Sequence, residues 1–501
     1  MNQFLLGLDI GSSSVKASLV NVETGVTAAA AQSPAEEMAI SAPRTGWAEQ
    51  DPALWWEHAV QSVRQCMIQA SARGEQIRAI GISYQMHGLV IVDKDLKPLR
   101  PSIIWCDSRA VEIGNKAQQM LGAEFCLSHM LNSPGNFTAS KLRWVQENEP
   151  AVYEKIHKAM LPGDYIAMRL TGTVVTTETG LSEGIFWDYT KRSVSTELLK
   201  HYNIDKGLLA DTVPVFAPQG QVSSEAAALL GLAPGTPVAY RAGDQPNNAF
   251  SLNVLHPGET AATAGTSGVI YGVTDANAYD LQSRVNGFIH VTDDPAKKAV
   301  RNGVLLCVNG TGILNSWLRK NTRGTGSPYD YAQMNALAAE APIGADGLVV
   351  LPFGNGAERI LQNRDIGASF INLNLNRHSQ PHVFRAAQEG IVFALRYGFD
   401  ILQSMGLKTT VIRAGNANMF LSPLFREAFV NTIGAPVELY DTDGAKGAAL
   451  GAGIGAGIYK SYAEAFQGLK LIRSEIPDKS KSSAYAEAYA TWKKALDKAL
   501  A

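Results

Sequence analysis

The chain has 501 residues, a formal net charge of −2 and a charged fraction of 18%. Domains usually run to ~100–200 residues, so a chain of this length is expected to fold as two lobes. The near-neutral balance, without a long basic or acidic block, argues against nucleic acid and anionic membrane surfaces as partners and favours a small molecule. No stretch reaches the ~20 apolar residues that a membrane span needs, so no membrane association is expected.

The cysteines and the start of the chain indicate a cytoplasmic protein. The four cysteines are scattered without C-x-x-C spacing, so neither a zinc site nor a disulfide framework is indicated. The first residues lack a basic leader and carry Asp9 within their apolar run, which is typical of a first strand and not of a signal peptide. A reducing cytoplasm is therefore the expected compartment.

Residues 5–20 predict a β-hairpin, because two apolar and β-branched halves flank a polar turn. The turn region carries one carboxylate, small and hydroxyl residues and one cation: Asp9, Gly11, Ser12, Ser13 and Lys16. Glycine permits close approach of the backbone, turn amides can face an anion, and a carboxylate can hold the hydrated Mg²⁺ that phosphates share. The hairpin is therefore a candidate phosphate and magnesium site; a plain glycine-serine hairpin with a surface Asp is the alternative.

Two polar turns follow the next predicted strands. Residues 53–72 have helical apolar spacing, and the strand predicted over 77–83 runs into Gln85, Met86 and His87. Side chains at such a strand end can reach a ligand, although a lone histidine is more often structural than catalytic.

The second polar turn follows the apolar run 100–105 and precedes a helix predicted over 110–120. It contains Trp105, Asp107 and Arg109. These residues are candidates for ligand contact; the alternative is a local ion pair, worth at most ~1 kcal/mol on a surface.

The strand-to-helix pattern starts again near residue 240. A strand predicted over 237–240 leads to Asp244, and helical character begins at 247. An Asp before a helix is commonly its N-cap. The other role for Asp244 is that of a general base at a strand end.

Residues 259–273 predict a second hairpin, with Gly265, Thr266 and Ser267 in its turn. It resembles the first hairpin in pattern without sharing its sequence. Two phosphate-capable hairpins indicate two lobes, 1–243 and 244–501, with a nucleotide between them.

The remainder of the chain alternates strands and helices. A strand predicted over 409–413 ends at a small-residue loop that contains Gly415 and Asn416. The predicted elements around it are a strand at 346–353, helices at 386–402 and 423–433, and a terminal helix from 482. Residues 443–453 are rich in glycine, which costs a helix up to ~1 kcal/mol per residue relative to alanine, so close packing or a ligand is expected there.

The common nucleotide motifs are missing from the sequence. It contains neither G-x-x-x-x-G-K-[ST] nor G-x-G-x-x-G. Phosphoryl transfer needs positioned phosphates, a metal that spreads their charge, and a base or orienting group for the acceptor. The two hairpins, Asp9 and Asp244 could supply these parts.

Several motifs, taken in order, resemble the FGGY family of carbohydrate kinases, within the superfamily of actin and sugar-kinase ATPases. They are D-I-G-S-S-S-V-K at 9–16, W-x-D-x-R at 105–109, L-T-G at 170–172, G-D-Q at 243–245 and G-T-S at 265–267. Each motif is weak alone, but the ordered set is specific and covers essentially the whole chain. The resemblance implies an α/β, two-lobed ribonuclease-H-like fold of the actin/hexokinase/Hsp70 type, with a central cleft.

The resemblance also implies residue roles. Asp244 would be the general base for the sugar hydroxyl, and Asp9 would help to hold Mg²⁺. The sugar would contact Gln85, Met86, His87, Trp105, Asp107 and Asp244. The phosphates and adenine of ATP would contact Gly11, Ser12, Ser13, Lys16, Gly265, Thr266, Ser267, Gly415 and Asn416. The family's adenine-side loop usually has consecutive glycines followed by Ser or Lys/Arg, whereas residues 414–419 read A-G-N-A-N-M, which leaves the nucleotide preference open.

The expected activity is transfer of the γ-phosphoryl group of ATP to a ketopentose such as D-xylulose. The expected partners are the sugar and ATP, and a homodimer is considered. Another sugar, a polyol or gluconate is the alternative acceptor. A sugar or nucleotide sensor without turnover, and an actin- or chaperone-like ATPase, are the alternatives from other classes; the latter would not require the cluster at 85–88.

Overall fold

The computed structural model describes residues 2–294, 296, 299–322 and 327–501. Its strands are β1 Phe4–Ile10, β2 Val15–Asn21, β3 Thr27–Ser33, β4 Glu49–Gln50, β5 Ile77–Tyr84, β6 Val90–Val92, β7 Ser102–Ile103, β8 Lys158–Met160, β9 Val175–Thr177, β10 Trp187–Asp188, β11 Ser193–Val194, β12 Asp211–Val213, β13 Val238–Gly243, β14 Glu259–Ala264, β15 Gly268–Thr274, β16 Asn286–Ile289, β17 Asn302–Val308, β18 Val349–Phe353, β19 Gly367–Ile371, β20 Val411–Gly415, β21 Val437–Tyr440 and β22 Leu471–Glu475. Its helices are α1 Pro52–Gln69, α2 Val111–Leu121, α3 Ala123–Met130, α4 Thr138–Asn148, α5 Pro150–Tyr153, α6 Pro162–Thr171, α7 Glu178–Glu183, α8 Thr196–Tyr202, α9 Ser224–Leu230, α10 Asp244–Ser251, α11 Gly312–Asn321, α12 Tyr331–Glu340, α13 Gln380–Ser404, α14 Pro423–Ile433, α15 Gly444–Gly455, α16 Tyr462–Ala465 and α17 Lys479–Leu500.

The chain divides into two compact units, and neither is continuous in sequence. Unit 1 comprises Met1–Asn253, Phe288–Asn302 and Thr442–Leu469. Unit 2 comprises Val254–Gly287, Gly303–Asp441 and Lys470–Ala501. Each unit therefore needs segments from distant parts of the sequence.

The main sheet of unit 1 has the strand order β13-β5-β1-β2-β3. β1 and β2 form the predicted antiparallel hairpin, with Ile10 opposite Val15. β5 runs parallel to β1 and to β13, so the carboxyl ends of these three strands lie at one edge. The inward-facing apolar residues of the sheet join α1 and α6 in one core that includes Leu6, Trp55 and Ile166.

Helix α15 packs against this sheet at very short range. A Cβ atom at Gly7 would lie 1.8 Å from the carbonyl oxygen of Ala445, and one at Gly81 would lie 1.9 Å from that of Ala448. Glycines on the strands and small residues on the helix thus let the two backbones touch. This close packing therefore offsets the cost that the glycines impose on helix α15.

The main sheet of unit 2 contains the strand order β17-β15-β14-β20-β21-β22. β14 pairs antiparallel with β15 and parallel with β20, as β1 does with β2 and β5. The two hairpins thus occupy equivalent places in their sheets. The terminal helix α17 docks by buried aromatic residues, and the indole Nε1 of Trp492 donates to the carbonyl oxygen of Val350 at 2.9 Å.

The observed elements follow the predicted ones, with differences at helix starts and at one strand. α14 has the predicted bounds, and α1 starts at Pro52 with Asp51 as its N-cap. α10 and α13 begin earlier than predicted, at Asp244 and Gln380. Polar first turns carry no apolar periodicity, so the pattern marks the helix body and not its start. The run 100–105 forms only the short strand β7.

Within the part of the chain that the structure describes, no helix has the length and apolar character needed to cross a membrane.

Candidate active site

Three neighbouring parallel strands of unit 1 end together, and the predicted acceptor-side residues follow them. Ile10 of β1 pairs with Tyr84 of β5, and Tyr84 pairs with Gly243 of β13. Side chains at and beyond these strand ends therefore share one edge of the sheet. The arrangement brings Asp9, the turn 85–87 and Asp244 to this edge, all within unit 1, whereas the expected boundary between residues 243 and 244 would put Asp244 in the second lobe.

Asp9 lies near the end of β1 and is partly exposed. Its Oδ1 accepts a hydrogen bond from the Ser83 hydroxyl at 2.8 Å. Burial raises the pKa of Asp9, and Asp443 raises it further, while Ser83 and Lys16 lower it. Lys16 is the cross-strand partner of Asp9. The carboxylate is thus anchored by one oxygen and feels the opposing charges of Lys16 and Asp443.

The hairpin turn after Asp9 is held from several sides. The Gly11 amide donates to the Ser14 carbonyl at 3.0 Å, and the Ser13 carbonyl accepts from the Met38 amide at 2.8 Å. The Ser12 carbonyl accepts from the Gln50 side chain at 2.7 Å. The turn is therefore a fixed loop, which suits an anion site more than a mobile one would.

The polar turn after β5 buries two of its predicted sugar residues. Gln85 and Met86 are 2% and 4% exposed. Neither amide atom of the Gln85 side chain finds a hydrogen-bond partner among the described residues. A buried amide without partners is unfavourable by about 1–3 kcal/mol, so a bound ligand or water that pairs with Gln85 would be stabilised.

His87 projects from this turn and stays partly exposed. Its Nδ1 lies 2.9 Å from the carbonyl oxygen of Glu183. Its ring meets Phe137 edge-on at a centroid distance of 4.8 Å, and Phe288 at 5.2 Å. The two phenylalanines were not predicted, because they come from a loop and a short strand far along the chain without a motif. Together they fix the imidazole plane.

Trp105 and Asp107 occupy different environments. Trp105 is 49% exposed, and its indole Nε1 donates to the Ser12 hydroxyl at 3.3 Å. Asp107 is fully buried and accepts from the Ala48 amide at 2.6 Å and from the Arg109 guanidinium at 2.7 Å. Arg109 is itself buried against the Trp47 ring at 3.8 Å. Protein donors already engage the carboxylate of Asp107. A contact between Asp107 and the sugar stays a prediction.

The Asp107–Arg109 pair is buried, whereas the sequence analysis considered an ion pair on the surface. Removal of one partner of a buried pair costs about 3–5 kcal/mol, against ~1 kcal/mol at a surface. This pair fixes the turn that carries Trp105.

Asp244 is the first residue of α10. The N-cap of that helix is Gly243, and no side chain caps it, so Asp244 does not have the N-cap role considered above. Burial and the charge of Asp9 raise the pKa of Asp244 to about 7. A carboxylate with a pKa near the working pH is suited to general base catalysis. Its partial exposure leaves the side chain accessible to a ligand.

Glu183 is a neighbour of Asp244 that sequence reasoning missed. It is 2% exposed, and a Cβ atom at Gly243 would lie 2.4 Å from its Oε2. Burial raises the pKa of Glu183 well above its ordinary value, and Asp244 and Asp164 raise it further. Nothing in the surrounding run L-S-E-G-I marked this residue. Its burial therefore favours the protonated form, and its side chain packs against Gly243, the residue before the proposed base.

Unit 2 holds the second phosphate-capable turn, at residues 265–267. The Gly265 carbonyl accepts from the Gly312 amide at 2.9 Å, and the Thr266 carbonyl accepts from the Ile313 amide at 3.2 Å. These bonds connect the β14–β15 turn to the start of α11. The turn and the helix amides therefore form one rigid structure.

A cavity of about 450 Å³ in unit 2 opens beside this turn. It is lined by Ala264, Gly265, Thr266, Gly312, Ile313, Asn315, Ser316, Tyr331, Asn335, Asn418, Met419, Leu421 and Ser422. The volume and the mixture of apolar and amide groups suit a purine base. The loop after β20 contributes 418–422, whereas the predicted Gly415 and Asn416 come just before this stretch, and the Asn416 amide donates to the Tyr440 carbonyl at 2.9 Å.

Asn335 lines this cavity at the end of a hydrogen-bond relay. Buried Ser422 accepts from the Phe425 amide at 3.3 Å and donates its hydroxyl proton to Gln388 Oε1 at 2.8 Å. Gln388 Nε2 then donates to Asn335 Oδ1 at 2.9 Å. Because the acceptor of Asn335 is occupied, its NH₂ group is the part that remains for a ligand.

Comparison with known proteins identifies the class of enzyme. Residues 4–251 match the N-terminal domain, and residues 260–458 the C-terminal domain, of the FGGY family of carbohydrate kinases. The chain belongs to this family, as the sequence motifs indicated. It is therefore a phosphotransferase that acts on a carbohydrate hydroxyl and has the two-domain α/β fold of the actin and hexokinase type.

Individual relatives show which carbohydrate kinases the chain is similar to. The xylulose kinase of Escherichia coli (strain K12) is 28% identical over 96% of this chain and 96% of its own length. The structure of xylulose kinase from Rhodospirillum rubrum matches with a TM-score of 0.87 at 27% identity, over 99% of both chains. A gluconate kinase structure from Lactobacillus acidophilus matches with a TM-score of 0.88 at 22% identity, over 100% of this chain and 99% of that one, and shows the shared fold alone.

Proposed function

We propose that this protein transfers the γ-phosphoryl group of ATP to D-xylulose, giving D-xylulose 5-phosphate and ADP. The observation that carries the proposal is the position of Asp244, whose pKa is raised to about 7, beside Asp9 and the turn 85–87 at one sheet edge. The similarity to xylulose kinases supports D-xylulose as the acceptor.

The reaction assigns one role to each group. Asp244 takes the proton of the sugar hydroxyl as that oxygen attacks the γ-phosphorus. The bond from the γ-phosphorus to the bridging oxygen breaks, and ADP leaves with the electron pair. His87 and Gln85 orient the acceptor, since the ring of His87 is fixed and the buried amide of Gln85 has no partner in the described part of the protein.

Two sets of residues are proposed to contact the nucleotide. The turn that carries Gly11, Ser12 and Ser13, with Lys16, is proposed for phosphate contacts in unit 1. The turn 265–267 is proposed for phosphate in unit 2, with the 450 Å³ cavity for the base. Gly415 and Asn416 are proposed to act next to the base, through the loop that continues into the cavity wall.

Magnesium fits the surroundings of Asp9. Burial raises the pKa of Asp9, and the charge of Asp443 raises it further; a divalent cation would offset both effects by stabilising the ionised carboxylate. Mg²⁺ prefers carboxylate oxygens and keeps several waters, so one or two protein ligands suffice. When bound, the ion would spread the charge of the phosphates. Asp9 is the residue proposed to hold it.

The charges of unit 1 favour a neutral acceptor over a sugar acid. The buried cations Arg109, Lys141 and Arg241 are each bound to protein groups. Asp244, the proposed base, meanwhile places a carboxylate at the acceptor side. A carboxylate on the substrate would add charge without a free cation among these three to meet it, which disfavours gluconate.

The test is an ADP-release assay with purified protein across D-xylulose, D-ribulose, glycerol and gluconate. We expect kcat/KM for D-xylulose to exceed that for gluconate and glycerol by at least about 10²-fold. Equal values for D-xylulose and gluconate would contradict the acceptor assignment. Sugar binding without turnover of any acceptor would instead favour a sensor.

A further inference from the structure

His87 adopts a backbone conformation that the surrounding structure must hold. Its φ is +63°, in the left-handed region that few residues other than glycine enter. Such conformations cost about 1–3 kcal/mol and persist where neighbouring groups fix them. Two contacts fix this conformation of His87. The ring Nδ1 lies 2.9 Å from the Glu183 carbonyl oxygen, and the carbonyl oxygen of His87 accepts from Lys141 Nζ at 2.8 Å.

Lys141 makes a second bond that reaches the other polar turn. Its Nζ donates to the carbonyl oxygen of Ile104 at 2.9 Å. Ile104 precedes Trp105, whose indole donates to the Ser12 hydroxyl at 3.3 Å. A single ammonium group on α4 therefore joins the turn of His87 to the turn of Trp105, and through Trp105 it is connected to the first hairpin.

The burial of Lys141 is not explained by stability. The residue is 0% exposed. Burial lowers the pKa of its amine to about 7, while the charge of Asp107 raises it. A buried cation carries a desolvation penalty that an apolar side chain of similar length avoids, and apolar replacement of buried ionic groups is often neutral or stabilising. A role in the shape of the site accounts for a lysine at this position.

We propose that Lys141 is a positioning residue for the sugar, which sets the separation of the His87 and Trp105 turns by binding one carbonyl oxygen of each. The inference rests on the proposed function of this sheet edge as the acceptor site. It goes beyond that function because it assigns the geometry of the site to a helix residue that lies outside every predicted motif.

Unit 1 offers a matched control. Lys158 Nζ also bridges two backbone carbonyls, those of Gly207 at 2.7 Å and Leu209 at 2.9 Å. Neither carbonyl belongs to a turn with a proposed sugar contact. Lys158→Met therefore removes the same kind of bridge away from the site.

The first measurement is steady-state kinetics of Lys141→Met and Lys158→Met with D-xylulose and ATP. We expect Lys141→Met to raise the KM for sugar by about tenfold or more and to leave the KM for ATP within about twofold, as lost hydrogen bonds at one substrate would. Lys158→Met should leave both KM values unchanged. Equal sugar KM values in Lys141→Met and the wild type, or a parallel rise of both KM values, would overturn the proposal.

The second measurement is a double-mutant cycle with His87→Ala. If Lys141 acts through His87, the double variant Lys141→Met/His87→Ala should have nearly the sugar KM of His87→Ala alone. The cycle of Lys158→Met with His87→Ala should be additive. Additivity in the Lys141 cycle would show that Lys141 does not position His87.

Folding and function are controlled separately. Thermal melts accompany each variant, and Lys141→Gln, which keeps a shorter donor, is made as a second replacement. If neither Lys141 variant folds, Lys141 is a stability residue and the proposal fails. Absence of D-xylulose turnover in the wild type would instead overturn the proposed acceptor, whereas wild-type turnover with an unaffected Lys141→Met would overturn the role of Lys141 alone.

Discussion

The carboxylate of Asp244 combines a raised pKa with partial exposure at the end of β13. Asp244→Asn keeps the size of the side chain and removes the base. We expect kcat to fall by about 10²–10⁴-fold, with sugar affinity retained, because the lost interaction matters mainly in the transition state. Turnover numbers and calorimetric sugar binding would measure this. Near-normal turnover in a folded variant would exclude Asp244 as the base.

The same pKa predicts how stability depends on pH. A carboxyl group whose pKa rises from its ordinary value to about 7 on folding favours the protonated state, so its stabilising effect is full at low pH and is lost as pH rises to about 7. Asparagine has no such loss. The melting temperature of Asp244→Asn should therefore exceed that of the wild type at pH 8, and by less at pH 5. An equal difference at both values would mean that Asp244 does not titrate in this range.

The sequence was sufficient to predict some residues of the candidate site and not others. Asp9, Asp244 and the turn 85–87 were predicted because each lies at or just beyond a predicted strand end and belongs to a motif that resembles the family. Glu183, Lys141 and Phe137 were not predicted. They reach the same region from helices and loops whose local sequences look like ordinary helical or turn segments, so tertiary structure alone reveals them.

Among the elements, the start of α15 controls the environment of Asp9. A Cβ atom at Gly444 would lie 2.5 Å from Asp9 Oδ2, so Gly444→Ala should displace the carboxylate without changing its chemistry. We expect a higher Mg²⁺ concentration at half-maximal rate and an unchanged KM for sugar. Gly447→Ala is the control, because its Cβ would meet Ser251 instead. A Mg²⁺ requirement that changes equally in both variants would count against Asp9 as the ligand.

Helix α12 and the loop after β20 present Asn335 to the cavity of unit 2. Loss of its amide donor should weaken the nucleotide by about one hydrogen bond. Asn335→Ala is therefore expected to raise the KM for ATP roughly 5- to 10-fold and to leave the KM for sugar unchanged. Asn321→Ala, at the exposed end of α11, is the matched control. An ATP KM that does not change in Asn335→Ala would place the base elsewhere.

The sequence predicted helices and strands most accurately where the elements were long and their apolar residues regularly spaced. The body of α13 was predicted from its amphipathic pattern, α14 was predicted with its observed bounds, and both hairpins were predicted from strand-like runs on either side of a polar turn. The starts of α10 and α13 were not, because capping at Gly243 and Ser379 is a local backbone arrangement that apolar spacing does not show. The relay from Ser422 through Gln388 to Asn335 joins three segments and has no signature in any of them.

For the whole molecule, the discontinuity of unit 1 predicts how fragments behave. Residues 1–253 lack α15, which contacts β1 and β5 through Gly7 and Gly81. This fragment should remain largely unfolded by near-ultraviolet circular dichroism and should bind an apolar dye. Fusion of residues 442–469 to its end through a flexible linker should restore part of the tertiary signal. A cooperative melt of residues 1–253 alone would contradict this expectation.

The position of α15 also sets the order of events during synthesis. About 190 residues separate Asn253 from Thr442, and at ~5–20 residues per second a ribosome needs about 10–40 s to add them. For that time the strands that carry Asp9 and Ser83 exist without the helix that covers them. Apolar strand surface exposed on a nascent chain is prone to aggregate, so the enzyme is expected to engage holding chaperones between these two points of its translation. Its active site can form only after nine-tenths of the chain has left the ribosome.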